Sequence, residues 1–212
     1  MEKIIKKIIE EELKDSVRKY QNLIKKWEKS IFKNLIFCCV PASRGKKAEK
    51  ILVKYLQALN YTVQLMKSVK TGFDMIYNEK INVEIKYASE NLVYNSKGIL
   101  TTNVKFTFDQ IRPYNTKDRQ PYHFILFFFL SPDWKKCRFF SIERKYFEQI
   151  ADNMKKEGYN NKNSFTMSVM HHKTDSYLIS VNSEKNMKTF YKFGDGTLKC
   201  AMKKMLKKFG DL

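Results

Sequence analysis

The chain has 212 residues, 43% of them hydrophobic, enough for one domain with a core or one domain with an added arm. Lys and Arg total 41 against 22 Asp and Glu, a formal charge of +19. Such a surface attracts polyanions and releases counterions on binding them, which points to nucleic acid ahead of acidic proteins or anionic membranes.

Residues 2 to about 37 predict one long amphipathic helix. Ile5, Ile8, Ile9, Leu13, Val17, Tyr20, Ile24, Trp27, Ile31 and Leu35 recur every three or four positions, and Lys and Glu fill the remaining face. Acids at 10–12 interrupt any basic stripe, so packing on the core or on a second subunit is the expected role. Residues 1–40 are thus expected as an N-terminal helical arm and 41–212 as the main domain. Pro41-Ala-Ser-Arg-Gly45 predicts a break, followed by a helix over about 46–59 with Ser43 as its N-cap.

Three strands are expected next, at 61–66, 73–77 and 81–88, with Asn78-Glu79-Lys80 turning the last two into a hairpin. Residues 89–105 predict a loop or an irregular strand pair. Phe108 to Ile111 predicts the start of a short helix stopped by Pro113. Tyr122 to Leu130 is almost wholly apolar and predicts a strand buried on both faces. Ser131-Pro-Asp133 predicts a turn, 137–142 a strand and 143–156 a helix. A polar stretch from Gly158 to Asn163 precedes strand pieces near 165–170 and 177–181. A C-terminal helix over 197–209 has Leu198, Ala201, Met202, Met205, Leu206 and Phe209 on one face and five lysines on the other. The pattern predicts a mixed α/β fold with a central β-sheet flanked by helices.

The four cysteines have no metal-ligand spacing and read as reduced thiols. The longest apolar run, Phe124 to Leu130, is too short for a spanning helix, and the charged N-terminus is no signal peptide. A soluble, cytoplasmic protein is expected, located wherever its substrate is.

The hairpin carries the chemistry. On the third strand Ile81, Val83, Ile85 and Tyr87 point one way, and Asn82, Glu84, Lys86 and Ala88 the other. On the second, Asp74 lies opposite Phe73, Met75 and Tyr77. A three-residue loop at 78–80 pairs Tyr77 with Ile81 and sets Asp74 opposite Glu84; a two-residue turn shifts the register by one. Carboxylates that close repel unless a cation lies between them, and Mg2+ takes oxygen ligands. Lys86, on the same face, is placed to orient the attacking water. Acid-x-Lys occurs four times, at Glu12, Glu84, Asp133 and Glu143, but only Glu84 has an apolar opposite face and an acid on a neighbouring strand. The plain alternative is an edge hairpin with ordinary surface charges.

Phe73-Asp74, Glu84-Ile85-Lys86 and the upstream Gly45-Lys-Lys-Ala-Glu49 together resemble the PD-(D/E)XK, or restriction-endonuclease-like, nuclease superfamily over roughly residues 43–142. Phe73 stands where the pattern has Pro. The resemblance implies a core of a helix, a three-strand meander, a helix and a further strand. It also implies Mg2+-dependent hydrolysis of DNA phosphodiesters, with Mn2+ as a substitute. Asp74, Glu84, the Ile85 carbonyl and Glu49 would be the metal ligands, and Lys86 would position water. The compact size favours a stand-alone restriction-type endonuclease, often a dimer. A nucleic-acid-binding relative that does not cut, or a nuclease for repair structures or RNA, stays open.

Arg44, Lys46 and Lys47, beside the proposed metal helix, are candidates for phosphate contacts. Gln110 and Arg112, after the hairpin, are candidates for DNA contacts, though polar residues before a Pro turn read as well as ordinary surface. His171 and His172 are adjacent in a strand and lack a partner spacing for a histidine-metal site.

Overall fold

The computed structural model describes residues 2–66, 72–94, 100–112, 121–156, 168–172, 176–181 and 184–210, with some side chains inside these ranges left aside. Helix α1 (Glu2–Glu28) is followed by a short α2 (Lys33–Phe37) and α3 (Pro41–Ala58). Strands β1 (Val63–Leu65), β2 (Met75–Tyr77) and β3 (Ile81–Ser89) follow, then β4 (Asn91–Tyr94), β5 (Leu100–Ile111), β6 (Phe124–Leu130) and β7 (Arg138–Glu143). Helix α4 (Arg144–Lys156), β8 (Ser168–His172), β9 (Ser176–Val181), α5 (Glu184–Tyr191) and α6 (Leu198–Gly210) complete the described chain.

The expected mixed α/β architecture stands. A five-stranded mixed sheet, in order β1-β2-β3-β6-β7, is antiparallel except where β3 and β6 run parallel. A second, antiparallel sheet has the order β4-β5-β9-β8. β6 is buried at every position, as its apolar run predicts. Phe124, Leu126, Phe128 and Leu130 face a core shared with α1, α2, α3 and α6. Ile125, Phe127 and Phe129 face a second core, built with Phe106 and Phe108 of β5, Ile179 of β9, Phe147 of α4 and Phe190 of α5. The five-stranded sheet is therefore the middle layer, with helices on one side and the second sheet plus two helices on the other.

The parallel β3–β6 pair is locked at its start by His123. Its N–H donates to the Asn82 carbonyl at 2.8 Å, and its Nδ1 accepts the Asn82 N–H at 2.9 Å. The Asn82 amide donates in turn to the Pro121 carbonyl.

Several expected boundaries are corrected. The first helix ends at Glu28, not near 37: Ser30 turns the chain, its N–H donating to the Trp27 carbonyl and its hydroxyl accepting from the Phe32 N–H. A helix running straight to 37 would carry Leu35 away from the core it shares with Trp27 and Phe32. Ile31, counted in the apolar stripe, is 80% exposed as a result. The stripe positions before Val17 lie outside the described side chains.

Pro41 starts α3 and does not break the chain. It occupies the first turn, where its preset φ fits and no donor is lost, after an extended Val40. Ser43 is therefore inside the helix, its hydroxyl donating to the Val40 carbonyl, and does not cap it.

The helix expected from Phe108 is strand instead, because Phe106, Phe108 and Ile111 are drawn into the second core by pairing with β9. Within 89–105, β4 pairs with the start of β5, the irregular strand pair expected there, and residues 95–99 lie outside the described residues. Helix α5 went unpredicted. Pro113, the polar stretch 158–163 and the start of the strand expected near 165 lie outside the described residues. Among the described residues, no helix is long and apolar enough to cross a membrane.

Candidate active site

The hairpin loop fixes the register. Asn78 and Glu79 both adopt left-handed backbone, with φ of 50° and 63°, and the Lys80 N–H donates to the Tyr77 carbonyl. Asn tolerates this region well and Glu less so. The outcome is the three-residue loop: Tyr77 pairs with Ile81, Ile76 with Asn82 and Met75 with Val83. The ladder ends at Met75–Val83, and the expected alternation breaks at Asp74: Phe73 is buried in the second core, Met75 and Tyr77 lie in the first, and the Asp74 N–H bonds the Val83 carbonyl that Met75 faces.

Three hydrogen bonds hold Asp74 at the mouth of β2. Its N–H donates to the Val83 carbonyl at 3.0 Å, and its carbonyl accepts the Met66 N–H at 2.8 Å. Its Oδ2 accepts the Ile85 N–H at 2.8 Å, a place the ladder would otherwise fill with a main-chain carbonyl. A strand residue turns its N–H and C=O to the same edge, so the Ile85 carbonyl is directed to the edge where the Asp74 carboxylate sits.

Ile81, Val83 and Ile85 are buried in the helix-side core, while Asn82, Glu84 and Lys86 alternate away from it, half-buried. Lys86 Nζ lies 2.8 Å from Glu84 Oε1, and both side chains are largely shielded, at 16% and 19% exposure. Glu49 reaches the same cluster from α3. Its Oε1 lies 3.8 Å from where a Cβ on Gly45 would stand, so the side chain lies back over the preceding turn.

These acids act on one another. Burial raises the Asp74 carboxyl, and the charges of Glu84 and then Glu49 raise it further, to about 8; the Ile85 N–H and Lys86 oppose the rise. Glu49 is also raised, by burial first and then by Glu84, with Lys86 and Lys46 pulling it back. With Asp74 holding its proton up to about pH 8, the cluster resists carrying three ionised carboxylates beside its one close lysine.

The remaining expected contact residues are scattered. Lys46 and Lys47 are exposed on the first turns of α3, Lys46 within electrostatic reach of Glu49. The Arg44 guanidinium is turned inward, with Nη2 donating to the Ile36 carbonyl at 2.7 Å and to the Cys39 carbonyl at 3.2 Å. Arg112 is half-buried at the end of β5, and its carbonyl accepts the Tyr122 hydroxyl at 2.7 Å. The side chains of Gln110, His171 and His172 lie outside the described residues.

Tyr122 was not singled out from the sequence. It is buried, its hydroxyl is held well above the ordinary range by burial and then by the Glu84 charge, and it ties the end of β5 to the acid face. Arg144 and Glu148, an ion pair one helical turn apart on α4, are also in its electrostatic surroundings. The only sequence signal for Tyr122 was its place beside a buried strand.

The donor set is hard oxygen throughout: three carboxylates and a main-chain carbonyl, the chemistry that suits Mg2+. Among the described residues no group of three or more His, Cys, Asp or Glu is drawn together tightly enough to hold a metal ion as it stands. The Ile85 N–H engages one oxygen of Asp74, and the Lys86 ammonium one oxygen of Glu84. No family model, curated protein or solved structure matches the chain.

Proposed function

We propose that this protein is a Mg2+-dependent endonuclease that hydrolyses DNA phosphodiester bonds, a restriction-type enzyme of the PD-(D/E)XK kind. The observation that carries the reading is the grouping of Asp74, Glu84, Glu49 and Lys86 within electrostatic reach of one another, with the Asp74 carboxyl raised by burial and then by its acidic neighbours. Crowded carboxylates of this kind create a demand for a cation. The charge of +19 adds a surface suited to a polyanionic substrate.

Asp74, Glu84, Glu49 and the Ile85 carbonyl would hold Mg2+ or Mn2+. When bound, the ion supplies a water of lowered pKa and neutralises charge growing on the phosphate. Lys86, 2.8 Å from Glu84, would stand beside the ion, where its ammonium could orient the attacking water or the phosphate oxygen. Asp74 holds its place through the Val83 and Met66 contacts whichever way its carboxylate turns.

The proposal includes a homodimer joined through α1, whose Val17 and Tyr20 are exposed at 44% and 52%. It also includes a cytoplasmic location, in keeping with four cysteines that are all free thiols. A second reading, nucleic-acid binding without cleavage, is favoured by one observation: the Lys86 ammonium takes up Glu84 at 2.8 Å in a largely shielded ion pair.

A plasmid-nicking assay separates the two. Wild type with Mg2+ is expected to nick supercoiled DNA, and Asp74→Ala and Lys86→Ala to lose that activity. Nicking that survives both substitutions removes the assignment. Binding without cutting of DNA or RNA, in Mg2+ or Mn2+, favours the second reading. Discrete fragments point to a restriction enzyme, and cutting confined to flaps or junctions to a structure-selective one.

A further inference from the structure

We propose that a polar cleft beside the acid cluster is a subsite for a DNA backbone phosphate neighbouring the one attacked. The inference rests on the nuclease reading for its place in the reaction, but not for the binding itself. The cleft, of about 390 Å3, opens where β3 leaves the five-stranded sheet, and Arg44, Gly45, Tyr87, Ser89, Lys105 and Thr107 contribute to its walls. It adjoins the acids on the Glu49 side, where Gly45 lies under the carboxylate; Tyr87 follows Lys86 on β3 but turns to the opposite face.

The chemistry of the walls is that of an anion site. Two cationic side chains, two aliphatic hydroxyls and a phenol line it, and no carboxylate does among the described residues. Two of the polar atoms are buried without a hydrogen-bond partner, Arg44 Nε and the Tyr87 hydroxyl. Arg44 Nη2 is already engaged by the Ile36 and Cys39 carbonyls, so its guanidinium is held in place with Nε left over. Burial pushes the Tyr87 hydroxyl up to about 12, against the Ser89 side chain, which lies within weak hydrogen-bonding reach, and the Arg44 charge, so it remains a neutral donor. Buried donors without acceptors are unfavourable to leave that way. A phosphodiester carries only acceptors and one negative charge, the complement of such donors once a small shift of the walls uncovers them.

Lys105 completes the site from β5, where it is the cross-strand partner of Asn91. Its ammonium supplies the long-range attraction, and the two buried donors supply the fixed geometry. The acids bar a second anion from the neighbouring face unless a cation is present, so the cleft is the part of the site able to hold phosphate without metal.

The test is binding of a short fluorescein-labelled DNA duplex, followed by anisotropy in EDTA and in Ca2+ at several salt concentrations. The proteins compared are wild type, Tyr87→Phe, Lys105→Ala and, as a control for loss of one exposed charge, Lys188→Ala on α5. Tyr87→Phe is expected to bind about tenfold more weakly while melting no lower than wild type, because it deletes an unpartnered buried hydroxyl. A structural role for that hydroxyl predicts the reverse pattern. Lys105→Ala is expected to bind about tenfold more weakly, with the salt slope shallower by about one. Lys188→Ala marks the smaller effect of general charge.

Tyr87→Phe and Lys105→Ala that bind as wild type, with an unchanged salt slope, overturn the cleft even where Mg2+-dependent nicking is present. Weakened binding in these variants supports the cleft even where no nicking is seen, in which case hydrolysis falls and the phosphate site stands.

Discussion

Asp74, at the mouth of β2, accepts the main-chain N–H of Ile85 on β3 at 2.8 Å, which fastens the first acid of the cluster to the strand that carries the second. An amide at this position keeps an oxygen for that bond and removes the charge.

Asp74→Asn therefore tests electrostatics with little change of shape. The carboxyl is raised from 3.8 to about 8 in the folded chain. Between those values the folded state holds a proton that the unfolded state has lost. The stability this supplies is fully present below about pH 4 and is lost as pH rises through about 8. In metal-free buffer the variant is expected to melt several degrees above wild type at pH values beyond 8, the gap closing toward acid. The same substitution should lower nicking by about a hundredfold or more. A variant that melts below wild type in alkaline buffer contradicts the account.

Metal should reverse this pH dependence. A ligating carboxylate must be ionised, so Mg2+ affinity is expected to rise with pH through the range in which Asp74 titrates. Calorimetric titration of Mg2+ at a series of pH values measures it. Affinity that stays flat from pH 6 to 9 places the ion elsewhere.

Lys86→Met retains the aliphatic stem and removes the ammonium 2.8 Å from Glu84. The shielded carboxylates then lose their nearest cation, at a cost of about 1–3 kcal/mol without metal. Thermal melts with and without Mg2+ should show that loss and its recovery, while nicking remains low. Loss of nicking without any fall in metal-free stability would mean that the ion pair contributes nothing to the fold.

His123 gives the chain an acid-sensitive joint. Burial, and then Arg144, hold its imidazole below the ordinary range, and its Nδ1 accepts the Asn82 N–H. The unfolded chain binds a proton that the folded chain resists. Stability from this group is present above the unfolded value of about 6.5 and declines as pH falls below it. On acidification from about pH 7 to 5.5, His123→Asn is expected to gain stability relative to wild type, the difference isolating the histidine from the opposite trend of Asp74. An identical pH profile in the two proteins removes the joint.

Gly45→Ala separates folding from binding at one position. The nearest atom to an added Cβ is Glu49 Oε1 at 3.8 Å, an ordinary contact, and helix α3 gains about 0.5–1 kcal/mol from losing a glycine. A modest rise in melting temperature is expected. Duplex affinity should fall in the same variant, because the methyl group enters the cleft wall. A stabilised variant with unchanged affinity would show that the backbone there is not approached.

Much of this was legible in the residues. The loop Asn78-Glu79-Lys80 set the hairpin register, and alternation along 81–88 assigned Glu84 and Lys86 to one face. β6 announced itself because a strand buried on both sides has no polar position to conceal it. Helix ends were read less well. Pro41 reads as a breaker until its place in a first turn is known, and Ser30 ends α1 through a side-chain bond that periodicity does not encode. Phe108 to Ile111 went to strand because pairing with β9, seventy residues away in sequence, outweighed a local helical spacing. Arg44 looked like a phosphate ligand by its neighbours in sequence, whereas the ends of α2 and its connection claim part of its guanidinium. Tyr122 and Lys105 join the site through the tertiary path of β5 alone.

Only Glu90 separates β3 from β4, and its N–H is tied to Leu130 at the end of β6. One continuous ribbon therefore runs from the Asp74-facing edge of the inner sheet into the outer sheet beside Lys105. A duplex that docks against β4 and β5 therefore meets an extension of the strand that carries Glu84 and Lys86, one residue of chain away.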